Sequence, residues 1–412
     1  MKIDSFVDES DNNNKLYRYI CLTSEISIGD SKSFSIKTAE GKDIEIAVFN
    51  IDGIFYAISN TCIHKGGPLT KGFLDKDIVT CPWHGWKYSV KDGKSPHQGG
   101  DSVNSYDVKK IEDKVYVSSI PSTIGKKIFQ PHKAYLELEK SIDEFLMHKS
   151  EEMILLADDK KIKILGISTT NANDKLAPRQ STSEDALQFA LDYARQVLYT
   201  ETVMIKLRDL EFSHCEGYYS KNANACIFPC SISERDKEDQ MIQIYEKVIL
   251  WADVVLIATP IRWGSASSLY YKMIQRMNCV QNQSITHNRY LIRDKVASFI
   301  ITGGQDNVQH VAGELMSFWA QLGFVFGKFP FVGWTRGWYA EDTENNYNVM
   351  MASLKKNINN YNQTEKEKEK VEKNSQMYKD IVKTIHGAVE MALIIKRNRY
   401  DQNVLNNSTI SK

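Results

Sequence analysis

The stretch Thr61–Tyr88, "TCIHKGGPLTKGFLDKDIVTCPWHGWKY", holds C-x-H, sixteen intervening residues, and then C-x-x-H. Thiolate and imidazole together exclude a hard-cation site and suit zinc, copper or an iron–sulfur cluster. Zinc would accept two Cys and two His, but fingers of that kind usually put both His on one helix. Here each His shares a loop with a Cys, and the loops are rich in Gly and Pro (Gly66, Gly67, Pro68; Pro82, Gly85). A cluster with bridging sulfides needs many backbone N–H groups aimed at its sulfurs, and such loops supply them.

Working outward, the surroundings read as all-β. "KDIEIAVFNIDGIFYAIS" is two strand-like runs around a hairpin signal at Asp52–Gly53. "NSYDVKKIEDKVYVSS" repeats the scheme around Glu112–Asp113, and Pro121 is expected to close the module. Residues 131–157 have helical spacing and predict a connector helix. From Lys161 the pattern changes to strands alternating with helices. "KIKILGIS", "TVMIKLRD", "DVVLIATP", "KVASFIITGG" and "FVFGKFPFVGW" predict five strands, with a helical segment between each pair. That alternation implies a parallel sheet covered on both faces. The chain from Glu341 reads as a charged helical extension, with a disordered end.

Composition bounds the rest. The chain has 412 residues, which favours two domains plus extensions. Lys+Arg and Asp+Glu both number 52, so no polyanionic partner is implied, and no nucleic-acid-binding motif is present. The start, "MKIDSFVDESDNNNK", has no apolar core of a secretory signal, and no apolar run reaches the roughly 18 residues of a membrane helix. Seven Cys in so long a chain do not read as a disulfide framework. A reducing, cytoplasmic location without membrane contact is the expectation.

C-x-H-x-G-G-P-L followed by C-P-W-H-G-W-x-Y resembles the Rieske [2Fe–2S] domain. The resemblance covers about residues 15–120. It implies that Cys62 and Cys81 share one iron, and that His64 and His84 share the other. The extra disulfide of high-potential members is absent, its positions being Gly67 and Trp83. Trp86 replaces a hydroxyl of those members, while Tyr88 remains, so a potential toward the low end of the Rieske range is expected. Imidazoles reaching outward from the loop tips, with Trp83, Trp86 and Pro68 as an apolar rim, imply a docking surface for electron transfer.

The loops at the carboxyl ends of the α/β strands carry a second pattern, since open sheets bind ligands there. After the first strand, Ser168, Thr169, Arg179, Ser181, Thr182 and Ser183 offer hydroxyls, a guanidinium and a helix start, a combination suited to phosphate. No G-x-x-x-x-G-K-[ST] and no G-x-G-x-x-G is present. With "TPIRWGSASS" and "TGGQDN" after the third and fourth strands, these loops resemble the flavodoxin-like NADPH-dependent FMN reductase family over about residues 161–335. The resemblance implies that Ser168, Arg179, Ser181 and Ser183 hold the FMN phosphate. It places Pro260, Ile261, Arg262, Trp263 and Gly264 against the isoalloxazine, and Gly303 and Gly304 at its other edge. Cys215, Cys226 and Cys230 stand where iron–sulfur flavoproteins carry a four-Cys motif, but only three are present and loosely spaced. Ordinary loop and core cysteines are the favoured reading, with Tyr218 and Tyr219 packing near the flavin or a subunit partner.

The expected architecture is a multidomain chain. An all-β Rieske domain (15–120) and a helical connector (121–160) lead to a doubly wound, five-stranded α/β flavodoxin-like domain (161–335). A helical C-terminal extension (336–398) and a disordered tail (399–412) follow. The expected function is an NAD(P)H-dependent oxidoreductase passing electrons between FMN and the cluster and on to an external acceptor. The alternative is an electron-transfer or redox-sensing protein without NAD(P)H turnover, in which the cluster feeds the flavin from a donor protein. A Rieske oxygenase would need a further iron on two His and a carboxylate, and the seven His outside the motif form no H-x₄-H pair near an Asp. Homo-oligomerisation is expected, partly because "YKDIVKTIHGAVEMALII" offers an apolar face.

Overall fold

A computed structural model describes residues 5–8, 15–38, 41–97, 99–147, 161–172, 181–303, 307–335 and 377–397. The chain divides into two compact units: Met1–Pro131 with Gly217–Cys226, and His132–Glu216 with Ile227–Lys412. Arg179, Gly304, 148–160 of the expected connector, 336–376 of the expected extension and the tail lie outside the described residues.

The first unit is antiparallel β. Its strands are β1 (Ser5–Asp8), β2 (Lys15–Leu22), β3 (Ser31–Lys37), β4 (Asp43–Ile51), β5 (Ile54–Ser59), β6 (Phe73–Asp75), β7 (Ile78–Thr80), β8 (Lys87–Ser89), β9 (Ser105–Ile111) and β10 (Lys114–Thr123). Seven form a sheet in the order β1-β2-β10-β9-β5-β4-β3, and β6-β7-β8 form a small second sheet. The hairpin signals act as the sequence implies: Asp52 and Gly53 take φ of 52° and 86° between β4 and β5, and Glu112 takes 53° between β9 and β10. Alternation along β4 serves two cores. Ile46 and Val48 join a cluster with Cys21, Val115 and Val117, whereas Ala47 and Phe49 join one with Cys62, Cys81, Trp86 and Tyr88.

Pro121 does not end the module. It lies inside β10 opposite Tyr106, at a shift of register that tolerates its missing N–H. The chain past β10 is fastened by Asp101, whose fully buried carboxylate accepts from the Ile128 and Phe129 N–H groups at 2.6 and 2.7 Å. Its other oxygen accepts from Trp86 Nε1 at 3.2 Å, tying the same carboxylate to the metal-motif loop.

The second unit holds a five-stranded parallel sheet: β11 (Lys163–Ser168), β12 (Glu201–Lys206), β13 (Val254–Pro260), β14 (Val296–Gly303) and β15 (Val325–Thr335). Their order is β12-β11-β13-β14-β15. The strand order reverses between β11 and β13, so their carboxyl ends open a crevice for a ligand. This is the flavodoxin-like arrangement expected, and every residue of β13 is buried. Helices Thr182–Val197, Ser268–Arg276, Asn278–His287 and Val308–Leu322 cover the sheet's connections, and Met241–Tyr245 runs on into a π-helical turn at Glu246–Trp251.

Two segments pack more tightly than their sequence reading implied. The helix Lys133–Met147 buries Tyr135, Leu138 and Ile142, spaced three and four apart. It belongs to the second unit, where Tyr135 donates to the Pro229 carbonyl at 3.2 Å. The helix at 377–397 buries Met377, Ile381, Ile385, Ala388 and Ala392 in the same core as the helix Thr182–Val197. It crosses β15 where two glycines meet: a Cβ on Gly327 would stand 2.3 Å from the Gly387 carbonyl oxygen. Much of the apolar face expected to drive oligomerisation is thus buried inside its own unit, while Leu393 and Ile394 stay exposed.

Candidate functional site

The metal motif occupies two matching loops. In the first, the Cys62 N–H donates to the Gly67 carbonyl at 2.9 Å and the Gly66 N–H returns to the Cys62 carbonyl at 2.9 Å. In the second, the Cys81 N–H donates to the Trp86 carbonyl at 2.6 Å and the Gly85 N–H to the Cys81 carbonyl at 3.1 Å. Gly66 and Gly85 take φ of 84° and 73°, which only glycine adopts without strain. Each loop thus turns back on itself and presents its Cys and His on one side.

The side chains pair by type, thiol with thiol and imidazole with imidazole. The imidazoles of His64 and His84 lie 4.7 Å apart between centroids, at 87°. Backbone N–H groups of His64 and Lys65 point at the Cys62 sulfur, and those of Trp83 and His84 at the Cys81 sulfur. The Tyr88 hydroxyl lies 3.3 Å from Cys62 Sγ. A hydrogen bond with Cys81, aided by Tyr88 and the loop N–H groups, lowers the Cys62 thiol to about 7 despite its burial. The same contact, with burial, raises Cys81. Gly67 keeps the space clear, since a Cβ there would stand 2.7 Å from Cys81 Sγ. Two sulfurs wrapped in N–H groups, two imidazoles and a glycine-lined cradle fit a [2Fe–2S] group.

The surroundings differ from the expected exposed rim. His64 and His84 are 4% and 1% exposed, and Trp86 is wholly buried. The Trp86 ring stacks on His64 at 3.8 Å and 1° and meets the Phe129 ring edge-on at 5.5 Å. Trp86 is core because its flat apolar face covers an imidazole while Asp101 takes its N–H. Only Trp83 and Pro68 of the expected rim are partly exposed. Tyr218 groups with the first unit, its ring 5.7 Å from His84 at 64°.

In the second unit, Ser168 ends β11 and is buried, while Ser181 and Ser183 stand at the start of the helix Thr182–Val197 with their hydroxyls 3.1 Å apart. The loop after β13 is joined to the loop after β11: Ser267 Oγ donates to the Thr169 carbonyl at 2.6 Å, and Asn171 Nδ2 to Ser268 Oγ at 3.0 Å. Pro260 ends β13, and the Ile261 N–H donates to the Thr302 carbonyl at 2.7 Å. Arg262 and Ser265 exchange backbone hydrogen bonds across a tight turn with Trp263 (φ 50°) and Gly264 (φ 79°) at its tip. A positive φ is uncommon for a bulky residue, and Trp263 is fully exposed. Gly303 lets β14 approach Ile261, whose side chain a Cβ would meet at 2.9 Å. Hydroxyls at a strand end, a sixteen-residue helix start and a glycine at the facing edge fit FMN.

The sequence reading missed the charges beside these hydroxyls. Ser168 Oγ donates to Glu184 Oε2 at 2.9 Å, and Glu184 is forked by Arg208 and bonded by Lys206 Nζ at 2.8 Å. Burial opposes the Glu184 charge, but Arg208, Lys206 and Ser168 outweigh it and hold the carboxyl below its ordinary value. Burial, then the Glu184 charge, raises the adjacent Asp185 to about 6. Acidic residues in the first turn of a helix were the available signal. Asn307 also closes the site, its amide donating to the Gly264 carbonyl at 2.6 Å. Of the three cysteines after β12, Cys226 falls in the first unit and Cys215 and Cys230 in the second. A hydrogen bond with Cys279 lowers Cys230 to about 6 against its burial, with the Arg276 charge assisting.

Paired Cys–His loops on antiparallel β, joined in one chain to a flavodoxin-like sheet, define a redox flavo-iron–sulfur protein. The chain belongs to the Rieske [2Fe-2S] domain family over residues 17–107 and carries an NADPH-dependent FMN reductase domain over residues 162–338. It is 31% identical over 108 residues to "Ferredoxin CarAc" of Metapseudomonas resinovorans, covering 26% of this chain and 95% of that one. It is 40% identical over 106 residues to human "Apoptosis-inducing factor 3", covering 26% of this chain and 17% of that one. It is 25% identical over 164 residues to "8-demethyl-8-aminoriboflavin-5'-phosphate synthase" of Streptomyces davaonensis, covering 40% of this chain and 59% of that one. The chain thus spans less than two thirds of the length of these last two. The Rieske domain implies a [2Fe–2S] cluster, and the reductase domain implies FMN and NAD(P)H. No helix among the described residues is long and apolar enough to cross a membrane.

Proposed function

We propose that the chain is an NAD(P)H-dependent oxidoreductase that passes electrons between FMN and a Rieske cluster and on to an external acceptor. In this reading Cys62 and Cys81 hold one iron, and His64 and His84 the other. The domains divide near the bounds read from the sequence: a Rieske domain from 15 that runs past the expected end at 120 to the close of β10, a connector to 160 whose helix Lys133–Met147 packs with the second unit, a flavodoxin-like domain over 161–335, a helical extension over 336–398 and a tail over 399–412. Ser168, Arg179, Ser181 and Ser183 hold the flavin phosphate. Pro260 to Gly264 line one edge of the ring, and Gly303 and Gly304 the other. The observation that carries the reading is the presence in one chain of the N–H-wrapped Cys–His quartet and the hydroxyl- and glycine-bearing loops of a flavodoxin-like sheet.

Bound flavin takes two electrons as a hydride and releases them singly, and a Rieske cluster carries one. What the chain contributes is position: one polypeptide raises the effective concentration of each centre at the other. With few hydrogen bonds to the cluster beyond Tyr88 and the loop N–H groups, its potential belongs at the low end of the Rieske range. The location is cytoplasmic. Self-association through the second unit is part of the reading, supported by the exposed Trp263. Light scattering at the mass of one 47.1 kDa chain would overturn that part.

The deciding experiment is an anaerobic titration of the purified protein with NADH and with NADPH, followed by visible absorption. Bleaching of flavin and cluster bands together is expected. A spectrum that neither nucleotide changes would refute NAD(P)H turnover.

A further inference from the structure

Gly217–Cys226 lies in sequence between β12 and the helix Ser231–Arg235, both in the second unit, yet it groups with the first. Its shape is set locally. Gly217, at φ 68°, opens a tight turn over Tyr218–Ser220, closed by hydrogen bonds from the Ser220 and Lys221 N–H groups to the Gly217 and Tyr218 carbonyls, both at 3.0 Å. Asn222 then caps a second turn over Ala223–Ala225, its side chain accepting from the Asn224 N–H at 2.8 Å. The Ala225 N–H donates to the Asn222 carbonyl at 2.9 Å. These two turns deliver one backbone carbonyl, that of Ala225, to 2.7 Å from His84 Nε2. The Tyr218 ring closes over the same imidazole, and Ala225 and His84 are each 1% exposed.

A carbonyl oxygen only accepts, so the proton of this imidazole sits on Nε2 and the lone pair on Nδ1. Nδ1 is then the atom available to iron. Nε2 is the outer atom, through which anything beyond the cluster would touch this ligand, and the chain itself already occupies it. We propose that Gly217–Cys226 is a strap that takes the docking place of a partner redox protein at His84 and reserves that imidazole for electron exchange within the chain. The proposal rests on the ligand set and electron path given above.

Peptide bonds join the strap at Glu216 and Ile227 to the chain of the flavin-binding unit. The hydrogen bond at Ala225 therefore links His84 through the backbone to that chain. The step served would move one electron and no atoms, from a flavin held by the second unit to the iron that His84 would hold, and His84 would keep its Nε2 proton throughout.

The test uses the full chain loaded with cluster and FMN. Three variants are compared with the parent: Tyr218–Ala225 replaced by Gly/Ser of equal length, Asn222→Ala and Tyr218→Ala. Cluster oxidation by cytochrome c is followed at the cluster's own band, flavin-to-cluster exchange by stopped flow, and the exchangeable-proton coupling of the reduced cluster by pulsed electron spin resonance. The segment replacement should oxidise at least tenfold faster with cytochrome c, exchange internally at least tenfold slower, and trade the coupled proton for deuterium from heavy water faster than the parent, at unchanged iron and sulfide. The single substitutions should move the same way by smaller factors. If the replacement loses its cluster, Asn222→Ala decides. Full iron and sulfide with both rates within twofold of the parent and the coupled proton exchanging no faster than in the parent would overturn the strap. A parent without internal exchange, whose variants still open to cytochrome c, would refute the electron path and leave the strap as a seal.

Discussion

The cluster loops and the flavin loops solve different binding problems. The quartet draws four side chains from two loops that each close on themselves, all within Cys62–His84. The flavin loops collect hydroxyls, amides and glycines from Ser168 to Asn307, with Ser267 and Asn171 tying the pieces together. A site of few strong bonds is compact in sequence and brittle. A site of many weak bonds is spread along the chain and yields by degrees.

The largest expected effect breaks the first site outright. His84→Ala should remove the cluster's visible absorption and electron-spin signal while FMN stays bound. Unchanged iron and sulfide would show that His84 is not a ligand.

The next compares one buried carboxylate in each unit. Asp239 pairs with Arg276, both side chains being fully buried. Asp239→Ala would strand that guanidinium and should cost about 3–5 kcal/mol in urea unfolding of the second unit. Asp101→Ala would orphan three N–H groups and should cost the first unit about 3 kcal/mol. Equal, small losses in both would mean that water replaces the lost partner in each.

A graded response should mark the flavin loops. Ser181→Ala or Ser183→Ala should each weaken FMN about tenfold, equivalent to roughly 1.4 kcal/mol, read by flavin fluorescence. Complete loss from either one would make this site as brittle as the other.

The smallest effect is electrostatic. Asp185 binds its proton more readily folded than unfolded, so between about pH 4 and 6 the native state holds the extra proton. Stability should therefore fall as pH rises through that window and level above it. Asp185→Asn should be more stable than the parent by about 1 kcal/mol at pH 7, after allowance for screening, and equal to it at pH 4. Denaturation at the two pH values checks the sign.

Local chemistry made much of this legible. Asp52–Gly53 turns because those residues tolerate positive φ, and β13 reads as buried because it is apolar throughout. Glu184 escaped notice because a charge at a helix start has an ordinary reading, capping the dipole, and its partners Lys206 and Arg208 come from the end of β12 and the turn after it. Trp86 looked like a rim residue beside a loop tip, whereas the fold turns its ring onto His64 and its N–H onto Asp101.

The sequence by itself determined the two cofactor chemistries, the hairpins and the alternation of five strands with helices, since each depends on residue type at short spacing. Only the tertiary structure decided that the helix at 377–397 is core, because its apolar stripe fits any apolar surface until Gly387 meets Gly327. It alone also brought Ala225 to His84 across 141 residues. The acceptor there is a backbone carbonyl, which every residue carries, so no side chain could announce it.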